Sequence, residues 1–194
     1  CFDINFVQNE SLLTSAIKCG INKFLICGSC FEYGLSGDDF PQIPIDAPLK
    51  PIGAYAYSKA LAGLSALNLA KNKNLKLILA RIFHVYGLGE NPKRFWPSLV
   101  NAATSSSDFN MSYGEQLRNF THVDKVVSIL LDYCIKLDSY DHGGIIKNIG
   151  SRNNMSLKDF AYKEWNRLKA KGTINIGFYP YKEKEVMSYI PELD

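Results

Sequence analysis

The sequence predicts an α/β fold built on a parallel sheet, and three observations carry that expectation. Lys23-Phe24-Leu25-Ile26-Cys27 and Leu75-Lys76-Leu77-Ile78-Leu79-Ala80-Arg81-Ile82 are short apolar runs, the length of strands buried on both faces. Residues 55–73 between them are rich in Ala, Leu and Lys and read as a helix. Residues 34–54 hold four prolines and three glycines and read as a loop, so the connection is long enough to bring the second strand back parallel to the first.

The remaining elements follow in order. Leu12, Leu13, Ala16 and Ile17 recur at helical spacing, with Gly20 as the stop. Beyond Gly87 the texture changes, and residues 88–94 form a polar loop. A helix is expected over Trp96–Ala103, with Pro97 in its first turn. Phe109–Tyr113 and Asn119–Val123 flank a polar turn and read as short strands. Asp124 is a candidate N-cap for an apolar helix over Val126–Leu137. Gly144–Ile149 reads as a strand, Ser156 as the cap of a helix running to Lys169, and residues 173–194 as an irregular tail. There is no internal repeat, low-complexity segment or heptad pattern.

Composition narrows the function classes. A chain of 194 residues with 46% hydrophobic content can bury one sizeable core, or one core and a small satellite lobe. The net charge of +3 is spread along the chain with no dense basic run, so no nucleic-acid partner is expected. No apolar run approaches the ~20 residues that span a bilayer, and no signal peptide is visible. Five cysteines at irregular spacing read as free thiols in a reducing cytoplasm.

Cys27-Gly28-Ser29-Cys30 contains the spacing of a redox or zinc pair. A structural zinc site wants four ligands, and there is no second such pair. His84, His122 and His142 are scattered, and the segment runs into a Pro/Gly-rich loop rather than a helix. No metal is expected; the cysteines read as small thiols at a strand end.

Ser29, Tyr55 and Lys59 are the stronger constellation. Ser29 follows one strand, Tyr55 opens the next helix, and Lys59 lies one turn further on the same face. The carboxyl ends of parallel strands and the loops after them form the ligand crevice of such sheets. A free tyrosine has a pKa of about 10, and an ammonium beside a phenol favours the phenolate. A serine hydroxyl that binds the same oxygen completes a general acid for a carbonyl receiving hydride.

Further landmarks stand in order around these three. Asn5 precedes the helix that ends at Gly20. Gly28-Ser29-Cys30-Phe31-Glu32-Tyr33-Gly34 ends in Tyr-Gly, and Pro48-Leu49-Lys50-Pro51 precedes Tyr55. Arg81-Ile82-Phe83-His84-Val85-Tyr86-Gly87, Gly114-Glu115-Gln116-Leu117-Arg118-Asn119-Phe120-Thr121-His122-Val123-Asp124 and Asn148-Ile149-Gly150 complete the set. Taken together they resemble the extended short-chain dehydrogenase/reductase family of nucleotide-sugar epimerases, dehydratases and reductases.

The resemblance implies a Rossmann-like parallel sheet with a smaller C-terminal substrate-binding lobe. Residues 1–87 would belong to the NAD(P)-binding domain and 88–194 mainly to the lobe, with about 120–150 returning to the first domain. It implies Ser29, Tyr55 and Lys59 as catalytic residues, with NAD or NADP as cofactor. Asn5, Gly28, Ile82 and Phe83 would lie at the cofactor, together with Tyr55 and Lys59. Cys30, Phe31, His84, Arg94 and Arg118 would face a nucleotide-sugar substrate. Arg118 is the candidate for its pyrophosphate, because a bidentate guanidinium suits phosphate oxygens. Arg94 is a second candidate for that role and equally reads as a solvated loop cation. His84 stands where the family usually has asparagine. A homodimer is implied through helices at 11–19 and 55–73.

The chain departs from the pattern in two places. The dehydratases carry Asp-Glu directly after the Ser/Thr; here Cys30 and Phe31 stand there, and neither can protonate a leaving hydroxyl. That leaves 4-ketoreductase, as in enzymes resembling CDP-abequose and CDP-paratose synthases, or epimerase, or a non-catalytic nucleotide-binding member. The family's first strand and Gly-x-x-Gly-x-x-Gly turn are also missing from these residues. The expectation is an internal fragment of a longer enzyme, without its first parallel strands and inactive by itself.

Overall fold

Parallel pairing of β1 (Lys23–Ser29), β2 (Lys76–Ile82) and β7 (Ile145–Ile149) in the order β1-β2-β7 forms the central sheet of a computed structural model that describes residues 1–193. A six-residue π-helical segment, Asp3–Gln8, leads into α1 (Asn9–Lys18), and α2 (Gly53–Lys73) makes the crossover from β1 to β2. Leu13 of α1 and Ala66 and Ala70 of α2 pack with Leu75, Leu77 and Leu79 on one face of the sheet. The small residues of α2 let the helix lie close; a Cβ at Gly63 would sit 2.9 Å from Leu79 Cδ2. On the other face, Val126 of α4 (Val123–Ile135) packs against Ala80 and Ile149. This three-layer arrangement is the α/β fold the sequence predicts.

The second half builds a lobe around α3 (Phe95–Thr104) and α5 (Leu157–Arg167). Leu99, Ala102 and Ala103 of α3 meet Ala161 and Trp165 of α5, with Phe109, Met111 and Ile174 filling the gap. Its strands are short. β3 (Val85–Tyr86) pairs with β6 (Thr121–His122), and β4 (Phe109–Asn110) pairs with β9 (Ile174–Asn175). β5 (Leu117–Asn119) lies between β8 (Asn154–Ser156) and β10 (Ser188–Tyr189).

Asn5 precedes α1, within the π-helical segment. Three local expectations are corrected. The run at 119–123 splits between β5, β6 and the start of α4, so α4 begins earlier than the periodicity placed it. Its N-cap is His122, whose Nδ1 accepts from the Asp124 N–H at 3.4 Å; Asp124 sits in the first turn, where its charge suits the helix dipole. The tail is not wholly irregular, because β9 and β10 join sheets; two-residue strands are too short to leave a period in the sequence. None of the described helices is long and apolar enough to cross a membrane.

Candidate active site

Ser29 ends β1 and opens the 3-10 turn Cys30–Glu32 through a capping box. Its Oγ accepts from the Phe31 N–H at 3.3 Å, and its own N–H donates to Glu32 Oε1 at 2.8 Å. The side chain is buried at the carboxyl end of the sheet, in register with Ile82 of β2. Tyr55 stands in the first turn of α2, half-exposed, its ring edge-on to Phe31 at 6.3 Å. Lys59, one turn on, donates from Nζ to the Cys27 carbonyl at 3.0 Å, which ties the helix to the end of β1.

These residues share one cavity. A space of about 540 Å³ along β1 is lined by Asn5, Cys27, Gly28 and Lys59. It shares Cys27, Gly28 and Lys59 with a second, of about 510 Å³, whose walls include Ser29, Cys30, Phe31, Tyr55, Ile82, Phe83, His84 and Arg94. A third, also about 540 Å³, shares Phe31, His84 and Arg94 with the second and adds Arg118, Lys93, Lys182, Lys184 and Tyr189. The sequence-predicted site residues therefore line three adjoining cavities, and Ser29, Tyr55 and Lys59 meet in the second.

Their individual settings differ. Asn5 donates from Nδ2 to Ser58 Oγ at 2.9 Å, a tie between the first helical segment and α2. Cys30 and Phe83 are core residues packed with Tyr33, Ile43 and Tyr189, and burial pushes the Cys30 thiol up to about 12. Cys27 is exposed, so the two thiols occupy opposite environments. His84 is enclosed by the rings of Phe31, Tyr189 and Phe120, and its Nδ1 has no partner. Burial, with Arg118 and Arg94 nearby, lowers its pKa to about 3, so the imidazole is neutral.

Arg118 is nearly filled by protein partners. Nη1 donates to the Leu117 and Met187 carbonyls at 2.9 and 3.3 Å, and Nη2 to the Val186 carbonyl and Glu185 Oε1 at 2.8 and 3.1 Å. Arg94 is the open cation of the pair; its side chain is 61% exposed, with Nε 3.4 Å from Glu90 Oε1.

Three residues outside the expected set shape the cleft. Glu32 is completely buried, and its Ser-x-x-Glu spacing from Ser29 is a capping-box signature visible in the sequence. Glu90 lines the cavity that holds Ser29, Tyr55 and Lys59, with Oε2 buried and unpartnered. Tyr189 reaches the cleft because Asp38 Oδ1 accepts the Met187 and Ser188 N–H groups at 2.8 and 2.9 Å. No local pattern announces those last contacts, which join residues 149 and 150 positions apart.

The residues fit the nicotinamide end of a dinucleotide. Tyr55, Lys59, Ile82 and Phe83 face one cavity, whose wall also includes Gly28. Among the described residues there is no glycine-rich strand-turn-helix for the phosphates between the two nucleosides.

Known proteins place this cleft in context. Residues 1–150 match the model of the NAD dependent epimerase/dehydratase family. A CDP-abequose synthase of Salmonella typhimurium is 26% identical over 197 residues, covering 95% of this chain and 59% of that protein. A probable UDP-arabinose 4-epimerase of Arabidopsis thaliana is 24% identical over 178 residues, covering 80% of this chain and 42% of that protein. The chain thus spans roughly half the length of these relatives. Among solved structures, a UDP-glucose 4-epimerase of Thermotoga maritima superposes with a TM-score of 0.86 at 20% identity, over 99% of this chain and 61% of that one. A dTDP-glucose 4,6-dehydratase of Bacillus anthracis in complex with NAD gives 0.82 at 21% identity, over 99% and 60%. These likenesses show the Rossmann-like fold, and the match over residues 1–150 shows that the chain belongs to the NAD dependent epimerase/dehydratase family.

Proposed function

We propose that the chain carries the proton-transfer and substrate-facing parts of an NAD(P)-dependent nucleotide-sugar 4-ketoreductase. The observation that carries this reading is the shared cavity of Ser29, Tyr55 and Lys59, closed on one side by Ile82 and Phe83. Ile82 and Phe83 would flank the nicotinamide of a bound NAD(P)H, which would supply hydride for the sugar carbonyl. Tyr55 delivers the proton to the carbonyl oxygen. Ser29, whose Oγ takes the Phe31 N–H, keeps its own proton to donate to that oxygen. Lys59, fixed by the Cys27 carbonyl, places an ammonium on the Tyr55 face of α2 and holds the nicotinamide ribose. Arg94, Lys93, Lys182 and Lys184 supply positive charge for the substrate's phosphates, and Arg118 orders the segment that carries Glu185.

Cys30 and Phe31 stand where a dehydratase needs acids, so water elimination is disfavoured. An epimerase, oxidising and re-reducing one carbon, is the second reading, favoured by the relatives named as 4-epimerases. Pairing of two copies is also proposed, through α1 and α2, whose outer faces expose Leu12, Tyr57, Leu61 and Leu64.

The test is a full-length preparation supplied with CDP-, UDP- and dTDP-linked 4-keto-6-deoxyhexoses. Stoichiometric NAD(P)H consumption supports the reductase. Interconversion of 4-hydroxyl epimers without net consumption supports the epimerase. Tight nucleotide binding without either marks a non-catalytic member.

A further inference from the structure

We propose that the buried Glu32–Arg81 ion pair is a positioning device for Ser29; the proposal rests on the reading of Ser29 as catalytic. Glu32 is 0% exposed and Arg81 2%. Glu32 Oε1 accepts the Ser29 N–H at 2.8 Å, and Oε2 accepts Arg81 Nε at 2.8 Å. Arg81 also donates from Nη1 to the Ile45 carbonyl at 3.0 Å and lies 4.6 Å from the centre of the Tyr33 ring. Tyr33 donates to Asn148 Oδ1 at 2.7 Å, and Asn148 Nδ2 donates to the Ile43 carbonyl at 2.8 Å.

The sheet register explains the convergence. Gly28 of β1 pairs with Arg81 of β2, and Arg81 pairs with Asn148 of β7. The three form one row across the sheet at its carboxyl end. Glu32 folds back over that row and closes it onto Ser29. Gly28 makes this possible, since a Cβ there would lie 2.6 Å from Glu32 Oε1.

A buried ion pair is a costly way to hold a fold, because an apolar pair of similar volume often stabilises as much or more. Burial raises the Glu32 pKa, opposed by Arg81 and the Ser29 N–H, in the direction such a cost requires. What the charged pair supplies and an apolar pair does not is direction. The Glu32 carboxylate orients the Ser29 backbone, while the Phe31 N–H fixes the Ser29 hydroxyl oxygen. Because the oxygen accepts that bond, the seryl proton stays free to donate.

The test compares Glu32→Leu/Arg81→Leu, Ser29→Ala and the triple combination in the full-length protein, assayed with a CDP-linked 4-keto-6-deoxyhexose. The double variant is expected to fold, keep its KM and lose kcat by about 10- to 100-fold. In the Ser29→Ala background the same pair of changes is expected to cost nothing further, because the group being positioned is gone. Equal slowing in both backgrounds, or kcat within twofold of the parent, overturns the proposal. Ser29→Ala with unchanged turnover instead removes the reading of Ser29, a distinguishable result. Should the double variant not fold, Glu32→Gln replaces it in the same cycle. A readout without substrate is amide exchange at Ser29 in the full-length protein: Glu32→Leu/Arg81→Leu is expected to accelerate it at least tenfold, and unchanged exchange overturns the proposal.

Discussion

Arg118 holds Glu185 at 3.1 Å in the wall of the cavity that both line with Arg94, and the same guanidinium binds the carbonyls of residues 186 and 187. A residue read from sequence as a phosphate ligand thus works first as the strut that seats β10 beside β5. An incoming phosphate group reaches Arg118 only by competing with a carboxylate already in place.

Arg118→Ala is therefore expected to lower stability by about 1–3 kcal/mol, because it leaves the Val186 carbonyl and the partly exposed Glu185 carboxylate without their partner. Arg118→Lys recovers little, since an ammonium cannot span the same fork of acceptors. Urea denaturation of both variants checks this.

Tyr55→Phe keeps the ring against Phe31 and removes only the hydroxyl. With Tyr55 half-exposed, stability is expected to stay within about 0.5 kcal/mol. Turnover of the full-length enzyme is expected to fall ~10²- to 10⁴-fold with substrate affinity unchanged. Steady-state kinetics beside equilibrium binding separates the two effects.

His84 ties stability to acid. Its pKa is lowered to about 3 in the fold, from an ordinary 6.5, because burial and the Arg118 and Arg94 charges disfavour the imidazolium. Between these values the unfolded chain binds the proton and the folded chain does not. The His84 contribution is full above pH ~6.5 and is lost progressively as the pH falls toward ~3. His84→Asn is expected to flatten the stability profile in that window, read from denaturation midpoints at a series of pH values.

Gly34 adopts φ +55°, and a Cβ there would lie 1.7 Å from the Lys50 carbonyl oxygen, to which the Leu35 N–H also bonds. Gly34→Ala must displace the 50–51 backbone just before α2. The expected loss is on the order of 4 kcal/mol or more, seen as a collapse of soluble folded protein or a large drop in thermal midpoint.

Legibility followed the length of the interactions. β1, α2 and β2 were readable because each carries its own signal: an apolar run, a helical composition, a second apolar run. Ser29, Tyr55 and Lys59 were picked out by their ordered spacing, and the structure places them around one cavity. The Asp124 cap was misplaced because a strand of two residues, Thr121–His122, leaves no period to mark where the helix begins.

What the sequence determined by itself was the parallel α/β core and the chemical types available at its carboxyl end. Those follow from hydrophobic periodicity and from side-chain identity, both local properties. Only the tertiary structure decided how the charges are used: Glu32 on Arg81 beneath Ser29, and Arg118 closed by Glu185. Both pairings depend on strand register and on a returning tail, which bring together residues 49 and 67 positions apart. Their worth comes from burial, which no residue carries alone.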